Sequence, residues 1–362
     1  MRKPTLQDVA RAAGVSYATA DRVLNERGNV AEKSTRRVLQ AIETLGYERD
    51  LHAANLSRGR IYHFRFLLPG GDQSFFRSLR QAVEAESTVR RADRIRFSLT
   101  EVPTLDSDAL AAALERLPRD CDAVAVVATE TPRIADAIGA LSAARIPVVT
   151  LVGDAAPDLR AAYVGIDNIM AGRTAGRLIR LAHIARPASA PGLILPVIGA
   201  LSARDHRDRL EGARAVLDGG PQLLPPVAVD DRHDLMRARV SDALQQNPGI
   251  TGIYSIGAGN RGLIEILAQR PDARPFTIMH DLTPTTRYGL ESGLVDAVID
   301  QKPAQEVALT VDVMKALSDG RGLPDPSRDI TPTIFLKDNL PAAPNAAPLA
   351  ALSEHLPIGE TR

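Results

Sequence analysis

The amino end carries two short apolar patterns separated by a break that only a tight turn satisfies, and this spacing limits it to a small helical unit. In Thr5-Leu6-Gln7-Asp8-Val9-Ala10-Arg11-Ala12-Ala13, the apolar Leu6, Val9, Ala10 and Ala13 share one helical face, with Thr5 placed as N-cap. Gly14 can take the positive φ of the turn, Val15 plugs the angle between two helices, and Ser16 can cap the second one. From Tyr17 the apolar positions are Ala20, Val23 and Leu24, which leaves Tyr17, Ala18, Thr19 and Arg22 pointing outwards. A helix-turn-helix places the side chains that touch base edges there. A third helix, about 31–45, turns Val38, Leu39, Ile42 and Leu45 inwards to close a three-helix core. Residues 1–60 hold 11 Lys and Arg against 7 Asp and Glu, a net +4, whereas the whole chain is formally neutral. The positive charge therefore sits where phosphates would be met.

With those residues in place, the sequence resembles the lac repressor family of bacterial transcription factors. The likeness runs through Thr5-Leu-Gln-Asp-Val-Ala, Ala13-Gly14-Val15-Ser16, Thr19, Arg22-Val23-Leu24-Asn25, Val30, Arg37-Val38 and Leu45-Gly46-Tyr47. It implies a DNA-binding headpiece over 1–50 in which Thr5, Ser16, Tyr17, Ala18 and Thr19 meet the duplex. Arg22, Asn25, Asn29 and Val30 join them. Asp21 stands where the family usually has serine, so it is expected to orient Arg22 or to read a cytosine amino group. The stretch 51–60 is too short to be a stable helix alone. In the family it forms a hinge helix on DNA, with a leucine wedged into the minor groove, and Ala53 and Leu56 occupy the matching positions. An ordinary linker with a buried leucine is the alternative.

At 362 residues the chain exceeds one typical domain, and 44% apolar content is ample for a buried core. Met1-Arg2-Lys3-Pro4 leads into the first helix without an apolar signal segment, and no run reaches membrane-spanning length, so a cytoplasmic protein with no membrane partner is expected. Cys121 is the single cysteine, which excludes an internal disulfide and a cysteine zinc cluster. From Ile61 onwards strand-like runs alternate with amphipathic helices, the pattern of a parallel sheet covered on both faces. Strands are expected at 61–68, 94–101, 123–128, 148–152, 193–198, 223–229, 252–256, 276–280, 295–299 and 331–336. That number suits two similar Rossmann-like lobes better than one. The resulting fold class is an all-α headpiece followed by an α/β two-lobed body of 61–340. Lobe 1 takes about 61–166 and 300–328, lobe 2 about 167–299 and 329–340, and the Ala- and Pro-rich 341–362 forms a tail. The order of elements resembles periplasmic sugar-binding proteins of the first type, the regulatory body of the same family.

Such bodies bind a small molecule between the lobes, at the carboxyl ends of the strands. The resemblance places Gln73, Phe75 and Phe76 at the cleft, although either Phe also suits plain core. Arg209, in Arg209-Leu210-Glu211-Gly212, matches the family's arginine motif; a solvated charged helix face is the alternative. Asp281 and Gln301 fall on the ligand aspartate and glutamine at two strand ends. Glu130 matches a position that tends to be aspartate, and Asn260 lies in a Gly-rich loop that replaces an asparagine-aspartate pair. This polar set with two Phe suits a monosaccharide, sugar acid or polyol. The expected partners are a palindromic duplex operator, that effector and a second copy of the chain, with no cofactor. A rival reading comes from Gly257-Ala258-Gly259-Asn260-Arg261-Gly262, a literal G-x-G-x-x-G with Asp281 about 20 residues on, which would make the chain a NAD-dependent oxidoreductase.

Overall fold

The computed structural model describes residues 4–24, 30–47, 60–71, 73–118, 120–270, 273–321 and 330–342. The chain divides into two units, Met1–Arg60 and Ile61–Arg362. In the first, α1 (Leu6–Ala13), α2 (Tyr17–Leu24) and α3 (Glu32–Leu45) pack around Val9, Ala10, Ala13, Ala20, Val38 and Ala41. Gly14, at φ 60°, ends α1 by donating to the carbonyls of Ala10 and Arg11. Leu39 departs from the expectation: it is exposed, and Ala41 takes the inward position. The 3.6-residue period turns 38, 41, 42 and 45 to one side, and 39 lies a full 100° from 38.

The second unit holds two sheets. Its strands are β1 (Tyr62–Pro69), β2 (Ile95–Val102), β3 (Ala123–Val126), β4 (Val148–Leu151), β5 (Ala162–Val164), β6 (Leu193–Ile198), β7 (Gln222–Leu223), β8 (Val227–Ala228), β9 (Ile250–Ser255), β10 (Phe276–His280), β11 (Ala297–Asp300) and β12 (Thr333–Phe335). Its helices are α4 (Ser74–Val89), α5 (Ser107–Glu115), α6 (Pro132–Ala143), α7 (Asn168–Ala182), α8 (Arg204–Leu217), α9 (His233–Gln246), α10 (Asn260–Ala268), α11 (Pro284–Glu291) and α12 (Pro303–Ser318). The first sheet runs β2-β1-β3-β4-β5, all parallel. The second runs β12-β11-β10-β9-β6-β7, with β8 also on β6, and only β12 is antiparallel. Near-continuous apolar strands such as Ala123-Val-Ala-Val, buried at every position, need helices on both faces, and the α/β alternation supplies them.

The chain leaves the first sheet after β5 and enters α7, which packs closely on α8. It returns after β11 into α12, which lies on α4, β3, β4 and β5 of the first sheet. One expected strand comes out differently, and one strand was not expected. The run 223–229 is two strands, because Pro225 and Pro226 lack the N–H groups that a continuous ladder on β6 needs. β5 is an addition: three residues between Ala161 and Gly165 give too short an apolar run to stand out in sequence, and it forms on the edge offered by β4.

Candidate functional site

In the helical unit, the local hydrogen bonds fix what α2 presents. The Thr5 hydroxyl accepts from the Asp8 N–H at 3.3 Å while the Thr5 N–H donates to Asp8 Oδ2 at 2.9 Å, a reciprocal cap that starts α1. Ser16 Oγ accepts from the Thr19 N–H at 3.1 Å and so starts α2. Tyr17, Ala18 and Arg22 are exposed along α2; Thr19 and Val30 are half-buried. Ser16 and Thr19 share a hydroxyl contact of 2.9 Å. The expected contacts Asn25, Asn29, Ala53 and Leu56 lie outside the described residues.

In the larger unit a chain of side chains assembles at the carboxyl ends of the second sheet. Arg209 on α8 is 2% exposed, and each guanidinium nitrogen has a partner. Nε donates to Asn168 Oδ1 (2.8 Å), one terminal nitrogen to the Ile256 carbonyl (3.0 Å) and the other to Gln301 Oε1 (2.7 Å). Gln301 Nε2 then donates to Asp281 Oδ1 at 2.8 Å. Asp281 follows β10 with φ 68°, a backbone state that ordinary residues rarely adopt. Burial pushes its carboxyl up to about 7, against the pull of Arg209 and Gln301. Behind it, buried His280 meets the Tyr254 hydroxyl at 2.8 Å, and burial, then Arg209, holds the imidazole well below its usual range, hence neutral.

Backbone contact fixes where Arg209 stands. A Cβ on Gly172 of α7 would lie 2.0 Å from the Arg209 carbonyl oxygen, and one on Gly212 of α8 would lie 2.2 Å from the Ile169 carbonyl. The two helices therefore touch main chain to main chain, which brings Asn168 within reach of Arg209. Asn168 Nδ2 also donates to the Tyr163 hydroxyl of β5 at 3.0 Å, so the cluster joins both lobes.

Of the expected ligand residues, Arg209, Gln301 and Asp281 come together as one hydrogen-bonded series. Phe75 is buried in the first-lobe core, with half-buried Phe76 packed edge-on at 5.4 Å. Gln73 precedes α4, and its Oε1 accepts from the Thr104 hydroxyl at 3.4 Å. Glu130 stands apart from the series: its carboxylate takes Arg207 and, at 3.6 Å, Arg204, both of the second lobe, and its N–H donates to the Ser202 carbonyl at 3.1 Å. It bridges the lobes. Asn260 is occupied locally, accepting from Ser255 Oγ at 2.7 Å. Asn168, Tyr163 and Glu306 escape the sequence reading. Asn168 directly follows the crossing between lobes, which is the signal that could have found it.

The glycine loop before α10 is built for packing. A Cβ on Gly262 would meet the His233 carbonyl at 2.2 Å, and Gly259, at φ 84°, abuts the Arg232 backbone. The Ala258 N–H donates to Asp231 Oδ1 at 2.8 Å. A carboxylate thus takes a donor that a pyrophosphate would need, and Asp281 is engaged by Gln301 instead of being free for a ribose.

Residues 64–322 match the family described as periplasmic binding protein domain, and residues 5–50 match bacterial regulatory proteins of the lacI family. Among curated relatives, the transcriptional regulator DegA of Bacillus subtilis is 32% identical over 97 residues, 27% of each chain. The ribose operon repressor of Halalkalibacterium halodurans is 40% identical over 80 residues, 22% of this chain and 24% of its own. The matched stretches thus span about a quarter of these relatives' length. Among solved structures, a solute binding protein from Burkholderia graminis in complex with D-arabinose superposes with TM-score 0.68 at 21% identity, over 77% of this chain and 96% of that one. Another, from Bacillus halodurans with bound myo-inositol, gives TM-score 0.66 at 19% identity over 77% and 95%. No helix among the described residues is long and apolar enough to cross a membrane. Over residues 64–322, more than half of its length, the chain belongs to the periplasmic binding protein domain family, and its residues 5–50 match bacterial regulatory proteins of the lacI family.

Proposed function

We propose that the chain is a sequence-specific transcriptional regulator, acting as a repressor, whose operator affinity is set by a polyhydroxylated effector bound between the lobes. The observation that carries the reading is the series of buried Arg209, buried Gln301 and half-buried Asp281, a fork of donors running into an acceptor, in a body joined to a helix-turn-helix. The ribose repressor among the relatives and the sugar- and cyclitol-bound neighbours in fold support the effector class. Two copies related by a two-fold axis would present paired recognition helices to a palindrome in the cytoplasm. Effector binding would then need to shift operator affinity by about 1–3 kcal/mol, within reach of a lobe rotation. No catalytic role is assigned to any residue.

Selection of sites from a random duplex pool should return a palindrome, and a sugar or polyol should change affinity for it. In the same assay Leu56→Ala is expected to weaken operator binding while leaving effector affinity unchanged. A monomer that prefers no duplex over competitor DNA would end the proposal.

A further inference from the structure

Glu306 sits in the first turn of α12, directly after the chain returns from the second lobe. An acid at that place is ordinarily solvated and favoured by the helix dipole. Here the residue is 0% exposed, and both carboxyl oxygens are buried without a hydrogen-bond partner. Its electrostatic neighbours belong to the cleft: Asp281 after β10, Asp300 ending β11, Asp205 and Arg209 on α8, and the Tyr163 hydroxyl of β5. Three carboxylates and one cation leave no ion pair for a fourth acid, since Arg209 already spends its donors on Asn168, Ile256 and Gln301. Burial first, then Asp281, pushes the Glu306 carboxyl well above its usual range.

A lone buried acid lowers stability. Residues that break local rules in this way concentrate at functional sites. A protonated carboxyl offers one donor and one acceptor, the same pair that a hydroxyl offers. We propose that Glu306 is a recognition residue of the effector cleft, meeting a ligand hydroxyl with its unpartnered carboxyl group, and that the cleft takes an uncharged polyol and rejects sugar acids and sugar phosphates. An anionic ligand would add a negative charge beside the carboxyl groups of Asp300 and Asp205. The inference rests on the effector reading above and narrows it.

The test is calorimetric titration of the full chain with uncharged aldoses and cyclitols and with the matching uronic acids and sugar phosphates. The parent should bind an uncharged member and none of its anionic counterparts. For that member, Glu306→Gln should hold affinity within about threefold, because the amide keeps a donor and an acceptor, and Glu306→Leu should lose about ten- to a hundredfold. Without ligand, Glu306→Leu should melt no lower than the parent, which separates recognition from a structural role. Equal affinity of Glu306→Leu and parent overturns the inference and leaves the effector reading standing; so does preference for an anionic member. Failure of the parent to bind any member overturns both. If Glu306→Leu does not fold, Glu306→Met takes its place with the same expected loss, and parental affinity in that variant overturns the inference.

Discussion

Burial pushes the Asp281 carboxyl up to about 7, into the neutral range, while Arg209 and Gln301 oppose the shift. The folded chain therefore keeps a proton that the unfolded chain gives up near pH 4. Stability from this group is full at low pH and is lost as pH rises from about 4 through 7. Asp281→Asn should flatten that fall, so melting temperatures of parent and variant, separated by a few degrees at pH 5, should converge or cross by pH 8. A parallel pH dependence in the two proteins would contradict it. The other cleft residues differ in how far they can be seen from sequence. Arg209, Asp281 and Gln301 are legible through the family resemblance, Arg209 by the Arg-Leu-Glu-Gly motif inside α8 and the other two by their places at strand ends. Glu306 is not, since an acid in the first turn of a Pro-initiated helix reads as an ordinary dipole partner, and only the return of the chain from the other lobe buries it.

At the scale of elements, the contact between α7 and α8 depends on positions where a methyl has no room. Gly172→Ala would drive a Cβ to within 2.0 Å of the Arg209 carbonyl, forcing the helices apart. Urea unfolding should show a loss of about 1–3 kcal/mol, and calorimetry should show weakened effector binding because the guanidinium moves with α8. Gly139 on α6 is the contrast: nothing lies within 4 Å of a Cβ built there, so Gly139→Ala should stabilise by about 0.5–1 kcal/mol. The strands show how far a pattern reaches. Long apolar runs such as 193–198 and 276–280 declare themselves, whereas β5 exists only because β4 offers an edge to pair with. The split of 223–229 was written in Pro225-Pro226, a stop that outweighs the β-branched residues around it. In α3, a run of apolar residues suggested that Leu39 faces in, but helical geometry admits only part of such a run.

For the whole two-lobed body, Glu130 with Arg207 and Arg204 forms a visible link across the cleft besides the crossing segments. The partners are roughly a third exposed, at 36% and 37% for Arg207 and Glu130, so water and salt screen the attraction. Glu130→Gln should weaken effector binding by no more than about fivefold, and the difference from the parent should shrink as ionic strength rises. A loss of a hundredfold would instead make Glu130 a direct ligand contact. The close seating of α8 on α7 has a further consequence. Arg209 is anchored by main chain resting on main chain, while Gln301 and Asn168 reach it through their own side chains. On the proposed effector reading, exchanging either of those two would alter the hydrogen-bonding pattern offered to a ligand and leave the cation in place, so selectivity would be open to single substitutions without rebuilding the anchor.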